Sequence, residues 1–233
     1  MRSFAVTLAA VLLAGCISIE ENVPVAQASP AAVAAPAAPA IPYDSSASRV
    51  ASEQPAGAYT LDSRHSSVIW RVRHAGVGIF PARFDTISGN LTFDPANPAN
   101  SSISVKIAAN SVSTGVPGRE GPRAFDNEIH TQAFGSVAHP DITFVSKSIA
   151  LTSATTGTIV GDLTLRGVTK PVTIDANFEG GRFVAFRGKQ VIGFTGRTMI
   201  SRKDFGASLS NPMADGFVSD QVEIQVAAEF IHD

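Results

Sequence analysis

Residues 65–74 read HSSVIWRVRH, and this stretch decides the fold. Val68, Trp70, Val72 and His74 occupy every second position, so they share one face of an extended chain. The same period recurs outward in both directions. Ile87, Leu91 and Phe93 alternate within TISGNLTF at 86–93. Ile103, Val105 and Ile107 alternate with Ser102, Ser104 and Lys106. Ile159, Leu163 and Leu165 follow in TIVGDLTL, and Val172, Ile174, Ala176 and Phe178 alternate with polar residues. Residues 191–201 and 221–231 repeat the theme, and 142–149 is a weaker strand. Asp94-Pro95, Asn97-Pro98 and Gly180-Gly181 punctuate the strands as turns.

One segment breaks the period. Residues 123–134, RAFDNEIHTQAF, place Phe125, Ile129 and Ala133 at helical spacing, with Asp126 as an expected cap. A short helix across one end of the sheet or barrel follows. About eight antiparallel strands and one short helix define an all-β domain, either a closed barrel or a sandwich. A barrel of that size packs its interior with side chains or holds one small ligand. Alternation alone leaves a solid core and a cavity equally open. Gly161, Gly193, Gly196 and Ala176 on strand segments offer room inside or mark bends.

Composition narrows the class. The 233-residue chain carries a net charge of −2 without runs of Lys or Arg, so a nucleic-acid footprint is absent. Fourteen Phe against two Tyr and one Trp suit a greasy interior. Cys16 is the sole cysteine, which excludes an intramolecular disulfide and a Cys-rich metal site.

Residues 1–15, MRSFAVTLAAVLLAG, combine Arg2 with an uncharged apolar run from Phe4 to Leu13. The run is too short to span a bilayer as a helix and matches a secretory signal. Leu13-Ala14-Gly15-Cys16 resembles the bacterial lipobox, in which the cysteine thiol takes a diacylglyceryl group. Cys16 is therefore the expected lipidation site and the expected membrane anchor. Ile17 follows it rather than Asp, which points to the periplasmic face of the outer membrane within the cell envelope. Residues 16–57 then form an Ala/Pro-rich tether, including SPAAVAAPAAPAIP at 29–42, that reads as a disordered linker. Fully extended, it reaches ~130 Å; as a flexible chain, about 35–40 Å. The folded domain is expected over 58–233.

Ordered motifs then carry a family resemblance. Tyr59-Thr60-Leu61-Asp62 with His65-Ser66 and His74, and Phe80 and Phe84 ahead of Ser88-Gly89-Asn90-Leu91-Thr92-Phe93-Asp94, come first. Ser111-Val112-Ser113-Thr114 and His139-Pro140-Asp141-Ile142-Thr143-Phe144 follow. The most specific is residues 161–172, GDLTLRGVTKPV, followed by Arg202-Lys203-Asp204-Phe205-Gly206 and Val218-Ser219-Asp220-Gln221-Val222. Over residues 58–231 the chain resembles the YceI-like polyisoprenoid-binding family. It departs at 119–134, where Arg119-Glu120-Gly121-Pro122 and NEIHTQAF replace the usual Arg-Asp pair and His-Leu-Arg-like helix. The resemblance implies a lipocalin-like antiparallel barrel around an apolar channel, with an isoprenoid or quinone-type lipid as ligand and no other cofactor.

On that basis Trp70, Phe84, Phe93, Phe144 and Phe194 are candidate channel residues. Phe125, Ile129 and Phe134 are candidates for a mouth, and His74 for orienting a head group. The expected function is storage or transport of such a lipid, without catalysis. His65, His74, His130, His139 and His232 show no His-x-His or HExxH spacing, and no GxSxG, P-loop or dinucleotide fingerprint appears. His232 reads as frayed. No metal site is expected, and a homodimer is left open. Two rivals remain: a cargo-free envelope-stress or structural module with a filled interior, and a haem-type barrel needing His74 or Met199 to face inward as axial ligand.

Overall fold

A computed structural model describes residues 46–118 and 120–233. The signal, Cys16 and most of the tether lie outside the described residues.

Eleven strands form one antiparallel sheet. β1 (Gly57–Leu61) and β2 (Ser67–His74) lie end to end along a single partner, β11 (Val218–His232). Leu61 faces Phe230 and Val68 faces Val226 across that ladder. β3 (Gly78–Phe84) and β4 (Ile87–Phe93) answer them as the returning arm, through Val68↔Phe84 and Thr60↔Asn90. β5 (Ser102–Ala108) and β6 (Val112–Ser113) are likewise successive halves of one arm. β7 (Asp141–Leu151), β8 (Thr156–Leu165), β9 (Val168–Val184) and β10 (Lys189–Ser201) continue the meander to β11. With the halves joined, eight arms remain, each paired to its sequence neighbour. The β1–β11 ladder closes the ring, so the sheet is a barrel and not a sandwich.

Closure follows from the alternation. A meander needs only short connections, and each arm presents its apolar positions to one side. In β2, Val68, Trp70 and Val72 are buried while their neighbours are not. β7 is a full strand of eleven residues; its inward row runs through Ile142 and Phe144, and a bulge between Ser146 and Ser148 resets the register. That bulge is why its period reads as weak. β11 extends to His232, which pairs with Tyr59 and packs edge-on against its ring at 4.7 Å, so the terminus is held rather than frayed.

Because arms alternate in direction, the β2–β3, β6–β7, β8–β9 and β10–β11 connections share one end. The β6–β7 connection carries α1 (Ala124–Gln132). Asp126 does not cap this helix; Arg123 occupies the N-cap position. The Asp126 carboxylate instead reaches back to accept from the backbone N–H and the hydroxyl of Thr114, at 2.9 and 2.7 Å. At the other end of α1, Arg166 donates to the carbonyls of Gln132 and Ala133. Arg166 sits in the β8–β9 hairpin with φ 53°, followed by Gly167 with φ 73°, the paired left-handed geometry of a tight two-residue turn. A second short helix, α2 (Pro212–Gly216), lies in the β10–β11 connection, capped by the Asn211 side chain. Its brevity gives no period to read.

The opposite end differs from expectation. Residues 46–56, read as the last part of the tether, pack on the barrel. Ser48 bridges to Gly181, a short 3-10 turn spans Ala51–Glu53, and Gln54 is buried against Gln190. The Tyr59 hydroxyl donates to the carbonyl of Pro55 at 2.7 Å, and burial pushes that phenol up to about 12.

Candidate functional site

The barrel is hollow. A cavity of about 750 Å³ runs through it, within the ~300–1,000 Å³ of small-molecule sites. Its wall extends from Phe80, Phe125 and Phe217 at the helix end to Pro95, Leu151 and Ala154 at the other. A filled interior is thereby ruled out. Aliphatic residues of β5 and β8, such as Ile103, Ile107, Ile159 and Leu163, face inward yet stay only half-buried, because they border the void.

Two aromatic groups face this aliphatic wall. At the helix end, Trp70 packs on Phe80 and Phe134, Phe134 on Phe84, and Phe80 on Phe125, with ring centres 5.1–6.2 Å apart. Toward the other end, Phe194 contacts Phe93, Phe178 and Phe230 at 5.3–6.2 Å. Small residues stand in register on the wall: Gly157 on β8, Ala176 on β9 and Gly196 on β10 are cross-strand neighbours. A Cβ at Gly157 would meet the Ala150 carbonyl at 2.7 Å and one at Gly196 the Ile174 side chain at 2.9 Å, so both glycines relieve close packing. Gly161 does the same. A Cβ there would meet the Phe144 ring at 2.5 Å, so its missing side chain makes room for that ring rather than for a ligand.

The structure brings the channel and mouth candidates together around one cavity. Trp70, Phe84, Phe93, Phe144 and Phe194 stand in the wall, and Phe125, Ile129 and Phe134 reach it from α1 and the segment after it. His74 reaches the wall at the exposed rim, near the same end as Glu128. Met199 is 57% exposed and absent from the wall, so it does not face inward as an axial ligand would. Cys16 lies outside the described residues.

Sequence reasoning missed Arg202, a buried cation in an apolar wall. All five of its N–H donors are engaged: by the carbonyls of Ser219, Ala207, Asp215 and Val218, and by the Asp215 carboxylate at 2.6 Å. The Arg202 hydrogen bond holds the Asp215 carboxyl below the usual range, against the opposing effect of burial. The pair ties the β10–β11 connection over the cavity. The motif at 202–206 was visible, but nothing in its spacing announced a buried ion pair.

A second polar cluster lies outside the wall. Asp62, His65 and Glu229 bring potential ligand atoms within 4.8 Å of one another, the only such group among the described residues. Arg187 already donates to Asp62 at 2.6 Å, supplying the positive charge. Burial pushes the Asp62 carboxyl up, but hydrogen bonds from Arg187, His65 and the Arg64 backbone outweigh it and hold the group at about 2. This is a clasp between the β1–β2 junction and the β9–β10 turn.

A closed antiparallel barrel around an apolar cavity, with one helix over an end, defines the lipocalin-like class. Within that class, the chain belongs to the YceI-like family: the YceI-like domain model matches residues 59–230. A UPF0312 protein of Ectopseudomonas mendocina is 34% identical over 185 residues, covering 78% of this chain and 91% of its own. Among solved structures, Burkholderia cenocepacia BcnA superposes with a TM-score of 0.63 at 22% identity, over 72% of this chain and 98% of its own. A polyisoprenoid binding domain from Saccharophagus degradans, implicated in plant cell wall breakdown, superposes with a TM-score of 0.57 at 17% identity, over 75% and 98%. At these identities the two superpositions establish shared fold.

Proposed function

We propose that this protein binds an isoprenoid-type lipid, polyprenyl or quinone-like, in its barrel and stores or ferries it within the bacterial cell envelope, without catalysing a reaction. The observation that carries the reading is the cavity of about 750 Å³, whose wall is almost wholly hydrocarbon. Apolar cavities far smaller than this one stay dry and take up hydrophobic guests. The similar fold of a polyisoprenoid binding domain supports the choice of lipid.

A prenyl tail in water is disfavoured by roughly 0.8 kcal/mol per methylene. In a membrane the tail is already out of water, so moving it into the barrel is near neutral. Lipid can then enter and also leave, which is what a carrier requires. Specificity falls to shape and to a few polar groups. Lipidation at Cys16 would hold the barrel on the periplasmic face of the outer membrane, with the tether setting a high local concentration of lipid. Replacing Cys16 with Ser should release the protein from membrane fractions; persistent pelleting would contradict the anchor.

The binding reading is tested by incubating lipid-free protein with vesicles carrying a trace of prenylquinone and separating the two. Saturable transfer to the protein is expected. Partition no greater than that of an equal mass of a filled β-sandwich would overturn the proposal.

A further inference from the structure

Trp70 is the sole tryptophan of the chain. It is buried, with 8% of its surface exposed, and it stands in the cavity wall. Its indole N–H is shut off from solvent and has no hydrogen-bond partner among the described residues. A buried donor without an acceptor is costly, and Trp is normally placed where its N–H finds one. A phenylalanine would fill this position with hydrocarbon and carry no such cost. The neighbouring rings, Phe80 and Phe134, offer no acceptor oxygen.

The surrounding charge narrows what the acceptor can be. The buried cation of the wall, Arg202, has committed every donor to Asp215 and to four carbonyls. A diphosphate drawn down to Trp70 would lose its hydration and meet no free positive charge in return. A neutral carbonyl loses little hydration and accepts one hydrogen bond. The rings of Trp70, Phe80, Phe84, Phe125 and Phe134 also suit a flat head group, because aromatic rings pair favourably edge-on and offset.

We infer that the indole N–H of Trp70 is the head-group contact of the barrel: it donates to a carbonyl of a prenylquinone bound head-inward beneath α1. This rests on the lipid-binding reading and adds to it the neutral head, its orientation and its anchor. The N–H is closed off by packed side chains, so the head reaches it only as a neighbouring ring such as Phe80 or Phe134 turns aside, and the tail then runs along the aliphatic wall of β5 to β9.

The single tryptophan makes the test direct. The full chain, labelled with ¹⁵N, gives one indole N–H resonance. It is titrated with three probes of equal tail length: a short-chain prenylbenzoquinone, the matching prenyl hydrocarbon and the matching prenyl diphosphate. The quinone should move the resonance downfield as a hydrogen bond forms, and the other two should not. Trp70→Phe should weaken quinone binding about threefold to tenfold more than it weakens hydrocarbon binding, the worth of one net hydrogen bond. Probes that bind while the resonance fails to distinguish quinone from hydrocarbon would overturn the Trp70 assignment alone. A diphosphate shift equal to the quinone's would overturn the neutral head. Binding of none of the three would overturn this inference and the lipid-binding reading together. Should Trp70→Phe not fold, the wild-type titration still decides.

Discussion

At the scale of single residues, two polar clusters are points where one substitution strands a charge. Removing one partner of a buried ion pair costs about 3–5 kcal/mol, because the other charge is stranded. Arg202→Ala strands Asp215 and frees four carbonyls, so the free energy of unfolding should fall by an amount of that order, as read by urea titration. Asp62 gives a pH signature. Its folded carboxyl sits at about 2, below the ordinary 3.8. A lowered carboxylate contributes stability that is complete above the unfolded value and is lost as pH falls through the folded one. Wild-type protein should therefore weaken between about pH 4 and pH 2, and Arg187→Ala should flatten that part of the curve. Neither cluster was legible beforehand. Asp62 and Arg187 are 125 residues apart, and only barrel closure brings them to 2.6 Å.

At the scale of elements, strands were more legible than their connections. Period-two alternation marks a strand wherever one face is apolar, which is why β2, β4, β5, β9 and β11 were plain. β7 was blurred by its bulge and α2 was too short for any period. Residues 46–56 were hidden because their attachment is polar: the Ser48 bridge and the buried Gln54 leave no hydrophobic pattern. Helix α1 was read from Phe125, Ile129 and Ala133, but its anchors were not. Thr114 and Arg166 act on it from other elements. Asp126→Ala leaves the half-buried Thr114 N–H and hydroxyl without their acceptor, which should cost about 1 kcal/mol. Because α1 covers one end of the cavity, the same variant should speed lipid exchange, measured by transfer between vesicles. An unchanged exchange rate in a destabilised variant would separate α1 from the lipid's path.

At the scale of the whole molecule, the sequence specified which side chains point inward but not how far apart the walls stand. Trp70, Phe84, Phe93, Phe144 and Phe194 would alternate identically in a packed barrel. How far apart the walls stand depends on the register with which the strands pair around the barrel, as where Gly157, Ala176 and Gly196 meet. Those pairings are long-range facts that composition cannot supply. Ala176→Phe should fill part of the cavity with little strain, since the added ring enters open space. Its fold should persist by circular dichroism while its lipid capacity drops. Loss of fold and capacity together would mark the position as ordinary core.

Everything in the functional account depends on the hollow interior being a lipid compartment. The most direct measurement is mass spectrometry of the native protein, purified from its own envelope without detergent and then extracted with organic solvent. A prenyl lipid should be released in near-stoichiometric amount from wild type and in reduced amount from Ala176→Phe. Repeated extracts of folded wild-type protein that contain no prenyl lipid would contradict the account.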